Sequence, residues 1–265
     1  PIFIFFKSFS YHLVHISDSG NAYLKLFILN KTIITCHDLI PFKFPKKDLK
    51  NIIYRWLNKK GMLKSSFIVT ASKSTTKDFL KIIKKNQSLE YIYTPYIQKK
   101  FIGKKNIPSK YKKIVHIGSI DYKNRFLALE IINNLKKYNY KLICIGKLNE
   151  NEKHFIKKYK LYSYIDEKVK ISENEKLKII NNADIILLTS KYEGYGFPVL
   201  EGYSQNTLVI SSDRGSLREL VLKKALVKKY NCKNFVHKIL ELNKNIKIKN
   251  KLINEKKKII NKINN

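Results

Sequence analysis

The sequence predicts an α/β protein built on parallel sheets. Three observations carry that expectation. Short apolar runs bounded by turn residues recur at 33–36, 67–70, 114–117, 142–145, 185–188 and 208–211. Stretches of helical character separate them, the order that produces parallel strands joined by right-handed crossovers. Between the last two runs lies a glycine turn, Gly194-Tyr195-Gly196-Phe197-Pro198. In open α/β sheets such turns sit at the carboxyl ends of the strands, where ligands bind.

Taken in order, residues 1–108 read as a first α/β unit, with strands at 33–36 and 67–70 and a helix near 49–63. Thr75 and Asp78 have the spacing of a capping box, which marks a helix start after the second of these strands. Residues 94–112 hold Pro95, Gly103 and Pro108 among lysines, have no periodicity, and read as a linker. Residues 109–245 read as a second α/β unit with the four remaining strands and a helical run at 126–135. Residues 246–265 read as a basic helix in which Lys256-Lys257-Lys258 is flanked by Leu252, Ile253, Ile259 and Ile260. A length of 265 residues accommodates either one large domain or two smaller ones.

Composition narrows the function. Cys36, Cys144 and Cys232 are far apart, form no metal or redox spacing, and read as buried thiols in a reducing compartment. No apolar run approaches the ~18 residues of a membrane helix. The apolar start at 2–6 is too short for a secretory signal core and lacks a basic leader. The charge is extreme, with 54 basic against 20 acidic residues and a net of +34. Nucleic acid or an anionic lipid surface would both answer that charge. The lysines are spread along the chain and are not interleaved with an RNA-binding motif. Compositional drift with some attraction to an anionic membrane is therefore favoured over nucleic acid, which stays as an alternative. Residues 221–265 are the densest part, with 14 lysines and two glutamates.

The glycine turn carries the chemistry. Gly194 and Gly196 permit backbone conformations closed to other residues and let a ligand approach the main chain. Pro198 suits the first position of a helix. The helix start favours an anion, typically phosphate. Glu201 is expected in the first turn of that helix, where a carboxylate accepts hydrogen bonds from hydroxyls, as the acid of a dinucleotide site does with ribose. Glu193 has the same capacity toward another polyol. Two hydroxyl-binding acids around one phosphate site point to a nucleotide sugar. An ordinary strand, turn and helix with two solvated glutamates has the same spacing.

The stretch resembles the signature of the retaining GT-B glycosyltransferases of family GT4. Ala183, Asp184, Ser190, Glu193, Gly194, Gly196, Pro198, Glu201, Val209 and Ile210 match in register, and so does the run from Ser212 to Leu220. The departures are Thr189 for the usual proline, Gly202 for alanine, and Asn206-Thr207-Leu208 for Gly-Thr-Pro; asparagine tolerates the left-handed region that glycine occupies. The run Ser119-Ile120-Asp121-Tyr122-Lys123-Asn124, after an apolar strand, resembles the family's turn whose lysine meets the donor diphosphate. Lys123 takes that position, Ser119 stands where some members carry arginine, and Arg125 is an additional candidate phosphate cation. The segment 32–41 resembles the family's strand that ends in a His-Asp pair, which would place His37 near the donor sugar and the reacting carbon.

The resemblance implies a GT-B fold, with two Rossmann-like domains facing a cleft and the first one incomplete. It implies a glycosyltransferase that moves a sugar from a nucleotide diphosphate to a glycan or lipid-linked acceptor with retention of configuration. His37 and Glu193 would be catalytic, and Ser119, Lys123, Gly194, Gly196, Phe197, Pro198 and Glu201 would bind the donor. No cofactor and no metal are expected, since no Asp-x-Asp pair is present. The expected location is cytoplasmic, with peripheral attachment at the inner face of the membrane. The family's first domain is longer than the sequence ahead of His37 allows, so this chain reads as a fragment or as having a shortened first domain, and is expected to bind a nucleotide sugar but to turn over slowly or not at all. Two other functions remain open at this point: a non-catalytic nucleotide-sugar-binding protein and a basic RNA-binding protein.

Overall fold

The computed structural model describes residues 7–84, 88–97, 101 and 110–244, and in the tail residues 251, 252, 254, 255, 259, 260 and 263. The apolar start at 2–6, most of the 94–112 linker, and Lys256-Lys257-Lys258 with Ile253 of the basic helix lie outside the described residues. The chain forms two compact units, Pro1–Thr94 with Glu193–Tyr195, and Pro95–Tyr192 with Gly196–Asn265. The division thus falls at 94/95, ahead of the 108/109 boundary expected from the linker. A tripeptide of the glycine turn packs with the first unit.

The first unit holds a four-stranded parallel sheet of β1 (Leu13–Ile16), β2 (Lys31–Cys36), β3 (Phe67–Thr70) and β4 (Leu89–Tyr91), in that order. Ile34 of β2 lies opposite Ile16 and Ile68, so β1, β2 and β3 each deliver an apolar residue to one layer. A 3-10 stretch, Ser19–Phe27, follows β1, and the helices are α1 (Ile40–Lys43), α2 (Leu49–Lys64) and α3 (Lys73–Ile83). Ile16, Ile34, Cys36, Ile68, Met62, Phe79 and Ile83 share one buried core. Each large apolar side chain so buried contributes about 1.5–3 kcal/mol. Helix α3 starts at Ser72, whose hydroxyl accepts the Thr75 N–H, rather than at the Thr75–Asp78 pair; Asp78 instead pairs with Lys43 at 2.6 Å.

The second unit holds a six-stranded parallel sheet. Its strands are β5 (Lys112–Ile117), β6 (Tyr140–Ile145), β7 (Ile165–Lys168), β8 (Ile185–Leu188), β9 (Leu208–Ser212) and β10 (Leu226–Val227). The helices between them are α4 (Arg125–Leu135), α5 (Glu150–Lys158), α6 (Glu173–Asn181), α7 (Phe197–Ser204), α8 (Leu217–Leu220) and α9 (Cys232–Lys244). Strands β8 and β9 are buried along their whole length, as a parallel sheet covered on both faces requires. The spatial order is β10-β9-β8-β5-β6-β7. From β5 the chain works outward one way through β6 and β7; from β8 it works outward the other way through β9 and β10. The reversal lies between β5 and β8, which pair at Ile114–Ile185 and Val115–Ile186. A crevice for a ligand opens at the carboxyl ends of strands at such a reversal. Among the described residues no helix is long and apolar enough to cross a membrane.

Candidate active site

The carboxyl ends of β5 and β8 carry the two motifs singled out in the sequence. Past β5 come Ser119, which is exposed, and a 3-10 turn, Asp121–Lys123, whose following residue Asn124 is left-handed at φ 49° and opens α4. This turn is fastened to the end of β8. The Thr189 hydroxyl lies 2.8 Å from the Asn124 carbonyl and 3.1 Å from the Lys123 carbonyl. The Asn124 amide donates to the Tyr230 hydroxyl at 2.6 Å, which donates in turn to the Thr189 carbonyl at 2.6 Å. The Lys191 N–H donates to the Tyr122 carbonyl at 2.7 Å. Threonine in place of the usual proline therefore supplies the hydroxyl that pins the lysine turn.

His116 joins this network from inside β5. Its Nε2 lies 3.1 Å from the Thr189 hydroxyl and 3.3 Å from the Lys123 carbonyl. Burial, and then the charge of Arg125, push its pKa down to about 3, so the ring is neutral. Sequence reasoning missed His116 because nothing in a strand pattern distinguishes a buried histidine. The Lys123 ammonium lies 5.6 Å above the Tyr122 ring.

Helix α7 departs in two details from expectation. Its N-cap is Gly196 at φ 106°, a conformation that favours glycine, and Phe197 is the first helical residue. Pro198 therefore occupies the second helical position rather than the first, still within the turn where its missing N–H costs nothing. Glu201 falls in the second turn rather than the first. Its Oε1 accepts from Lys176 of α6 at 2.9 Å, and Lys176 also pairs with Glu173 at 2.8 Å. Its Oε2 is buried and has no hydrogen-bond partner among the described residues. An unmet buried acceptor costs on the order of 1–3 kcal/mol. The arrangement leaves Glu201 oriented by Lys176 with one oxygen ready for a donor. Lys176 was not foreseen, because its pairing with Glu201 depends on the packing of α6 beside α7.

Arg125 is corrected by the structure. The expectation made it a phosphate cation, but its guanidinium is committed inside the protein. Nε and Nη2 grip Glu152 at 3.0 and 2.6 Å, and the other donors reach the Gly146 carbonyl at 2.8 Å and the Lys147 carbonyl at 2.5 Å. The two side chains are 1% and 4% exposed. The pair ties the start of α4 to the start of α5, where Glu152 also completes a capping box with Asn149.

In the first unit, His37 follows β2 and is exposed, and its Nε2 donates to the Ser17 carbonyl at 3.0 Å. Beside it, burial raises the Asp38 carboxyl above its ordinary value; the charges of Asp18 and Glu193 push the same way, and the Ile40 N–H, donating at 2.8 Å, opposes them. The tripeptide 193–195 lies against this corner. The buried Gly194 carbonyl accepts from the Ser72 and Thr75 hydroxyls at 2.9 and 3.0 Å. A Cβ on Gly194 would come within 2.6 Å of the His37 carbonyl, and closer still to the Asp38 side chain. Glycine is needed here because backbone meets backbone. His37, Glu193 and Gly194 thus share the first unit, while Ser119, Lys123, Gly196, Phe197, Pro198 and Glu201 belong to the second. Among the described residues no three His, Cys, Asp or Glu side chains group as metal ligands.

The strand reversal carries a lysine turn at one strand end and an oriented acid beyond the other, the place where open α/β sheets take their ligands. The chain belongs to the glycosyl transferases group 1, whose family model matches residues 97–259. Over 207 residues it is 25% identical to the O-antigen chain mannosyltransferase RfbU of Salmonella typhimurium, an overlap covering 75% of this chain and 57% of RfbU. Over 118 residues it is 30% identical to an uncharacterized glycosyltransferase of Methanocaldococcus jannaschii, covering 43% of this chain and 33% of that protein. The chain therefore spans little more than half the length of the first relative and a third of the second. Sucrose-phosphate synthase from Thermosynechococcus elongatus matches with a TM-score of 0.81 at 16% identity, over 98% of this chain and 72% of that one. Anabaena HepE, crystallised with UDP and glucose, matches with a TM-score of 0.77 at 13% identity, over 99% and 78%. The fold is that of these GT-B enzymes, α/β with two Rossmann-like domains.

Proposed function

We propose that the protein transfers a sugar from a nucleotide diphosphate to a glycan or lipid-linked acceptor, with retention of anomeric configuration. The observation that carries this is Glu201, held by Lys176, with a buried Oε2 that has no hydrogen-bond partner among the described residues, on the helix that follows β8 at the strand reversal. A ribose hydroxyl supplies the missing donor. Lys123, the Ser119 hydroxyl and the amides at Gly196 and Phe197 meet the diphosphate, so that no metal is assigned to it. Glu193 is assigned to hydroxyls of the donor sugar, and His37 is assigned a part in the step at the reacting carbon. As the bond to the anomeric carbon breaks, charge develops on the leaving phosphate, and donors already in place stabilise it. The leaving phosphate takes the acceptor's proton, since no side chain is assigned as general base. Likeness to a mannosyltransferase of O-antigen chains favours a hexose donor and polysaccharide synthesis. The three free cysteines agree with a reducing, cytoplasmic location.

The test is transfer from a panel of nucleotide sugars to glycan and lipid-linked acceptors, with the product anomer read by NMR. One donor should be used, and its anomeric configuration should persist in the product. An inverted product would overturn retention; binding of the donor without transfer to any acceptor would favour a non-catalytic role.

A further inference from the structure

Helix α2 turns an unusual face outward. Its inner face is set by Asn58, Gly61 and Met62, which are buried. Asn58 accepts the Tyr23 N–H at 3.0 Å, and Gly61 packs so tightly on the Ala22 carbonyl that a Cβ would overlap it. The helix is therefore locked against the 3-10 stretch Ser19–Phe27. On the opposite side Leu49, Ile52, Ile53, Trp56 and Leu63 are all exposed, with Leu49 at 71% and Trp56 at 54%. At about 100° per residue these five fall within an arc of roughly 100°. Isolated exposed apolar residues are ordinary; five aligned on one stripe mark an interaction surface.

The charge around the stripe identifies the partner. Residues 46–64 contain seven cations, Lys46, Lys47, Lys50, Arg55, Lys59, Lys60 and Lys64, against a single acid, Asp48. That acid is engaged as the N-cap, accepting the Asn51 N–H at 3.0 Å. Lys60 lies on the stripe itself, its ammonium 3.8 Å from the Trp56 ring. An apolar stripe with tryptophan at its centre and cations on both flanks is the make-up of a helix that lies in the interface of an anionic bilayer.

We propose that the outer face of α2 docks the protein on an anionic lipid surface, with Leu49, Ile52, Ile53, Trp56 and Leu63 entering the headgroup layer. The inference is independent of the transfer reaction and places membrane contact on the first unit rather than on the lysine-rich tail.

Trp56 is the sole tryptophan of the chain, so its fluorescence reports on this face alone. The full chain is mixed with vesicles of phosphatidylcholine alone, or of equimolar phosphatidylcholine and phosphatidylglycerol, and followed by Trp56 emission and co-sedimentation. Anionic vesicles should pellet the protein and shift emission to the blue, neutral vesicles should do neither, and salt should reverse both. Each cation removed should weaken binding about fivefold, so Lys47→Gln, Lys60→Gln and Lys64→Gln together should cost about a hundredfold. Ile52→Ser with Ile53→Ser should weaken binding tenfold or more, by order of magnitude, with folding unchanged on circular dichroism because both side chains already face water. Lys256→Gln, Lys257→Gln and Lys258→Gln together should leave the emission shift in place. Pelleting without a change in Trp56 emission would overturn the proposal, since another surface would then bind. So would failure to pellet, or a blue shift that grows with protein concentration in the absence of lipid, which would mark the face as a contact between two copies.

Discussion

Replacing Arg125 with alanine should destabilise the second unit strongly and leave nucleotide binding intact. The structure fixes the size of the effect. The guanidinium makes two bonds to Glu152 and one each to two backbone carbonyls, in a pair whose side chains are 1% and 4% exposed. Removing it strands a buried carboxylate whose remaining partner among the described residues is the Asn149 N–H at 2.8 Å. Breaking a buried pair in this way costs about 3–5 kcal/mol. At about 2–4 °C per kcal/mol, this lowers Tm by roughly 6–20 °C. Exchanging both partners, Arg125→Met with Glu152→Met, should cost far less, because apolar replacement of a whole buried pair is often neutral. About 1 kcal/mol should remain lost with the capping box. Urea denaturation gives the stabilities, and calorimetry with a nucleoside diphosphate below the variant's melting range gives the affinity. An Arg125→Ala protein of near wild-type stability that has lost diphosphate affinity would refute the reasoning and return Arg125 to the phosphate.

Three further outcomes are expected. Lys123→Ala should weaken a nucleoside diphosphate by about 1.5–3 kcal/mol and barely change a free nucleoside, because its partner is phosphate charge; equal losses for both ligands in calorimetry would mean the change acts through folding. Gly194→Ala should cost about 1–3 kcal/mol of stability in urea titration, since its methyl would press on the His37 carbonyl and the Asp38 side chain; an unchanged midpoint would contradict that packing. His116 has a pKa of about 3 when folded against 6.5 in the unfolded chain, so the unfolded chain binds the extra proton between those values. Stability should therefore be full above the unfolded pKa and fall as pH drops, by up to about 1.4 kcal/mol per unit. His116→Asn should flatten this limb just below neutrality, before carboxylates titrate, and identical pH profiles would contradict the assignment.

The strands that the sequence revealed and those it hid differ in one physical respect. The six interior strands, β2, β3, β5, β6, β8 and β9, are covered by neighbours on both sides and read as apolar runs. The four that went unread, β1, β4, β7 and β10, are the edges of the two sheets. Strand β7 reads Ile165-Asp166-Glu167-Lys168, half in water, and β10 is two residues long, so neither leaves a periodic trace. Asn206 at φ 57° does adopt the left-handed conformation that its place in the motif required. Candidate positions set by local chain geometry, such as the left-handed Gly196 ahead of α7 and the Lys123 turn after β5, are legible as motif. Those defined by tertiary contact are not. Arg125 looked like a surface cation until Glu152 was brought to it from 27 residues away, and Lys176 became part of the site only through α6 lying beside α7.

The proposed transfer requires Glu201 to receive the nucleotide. Calorimetry of a nucleoside diphosphate with wild type and Glu201→Ala tests it most directly, with thermal denaturation confirming that the variant is folded. Loss of a charged acceptor should weaken binding by about 1.5–3 kcal/mol, roughly tenfold or more. Unchanged affinity in a folded Glu201→Ala protein would remove Glu201 from the site and, with it, the assignment of the β5–β8 crevice as the place where the donor binds.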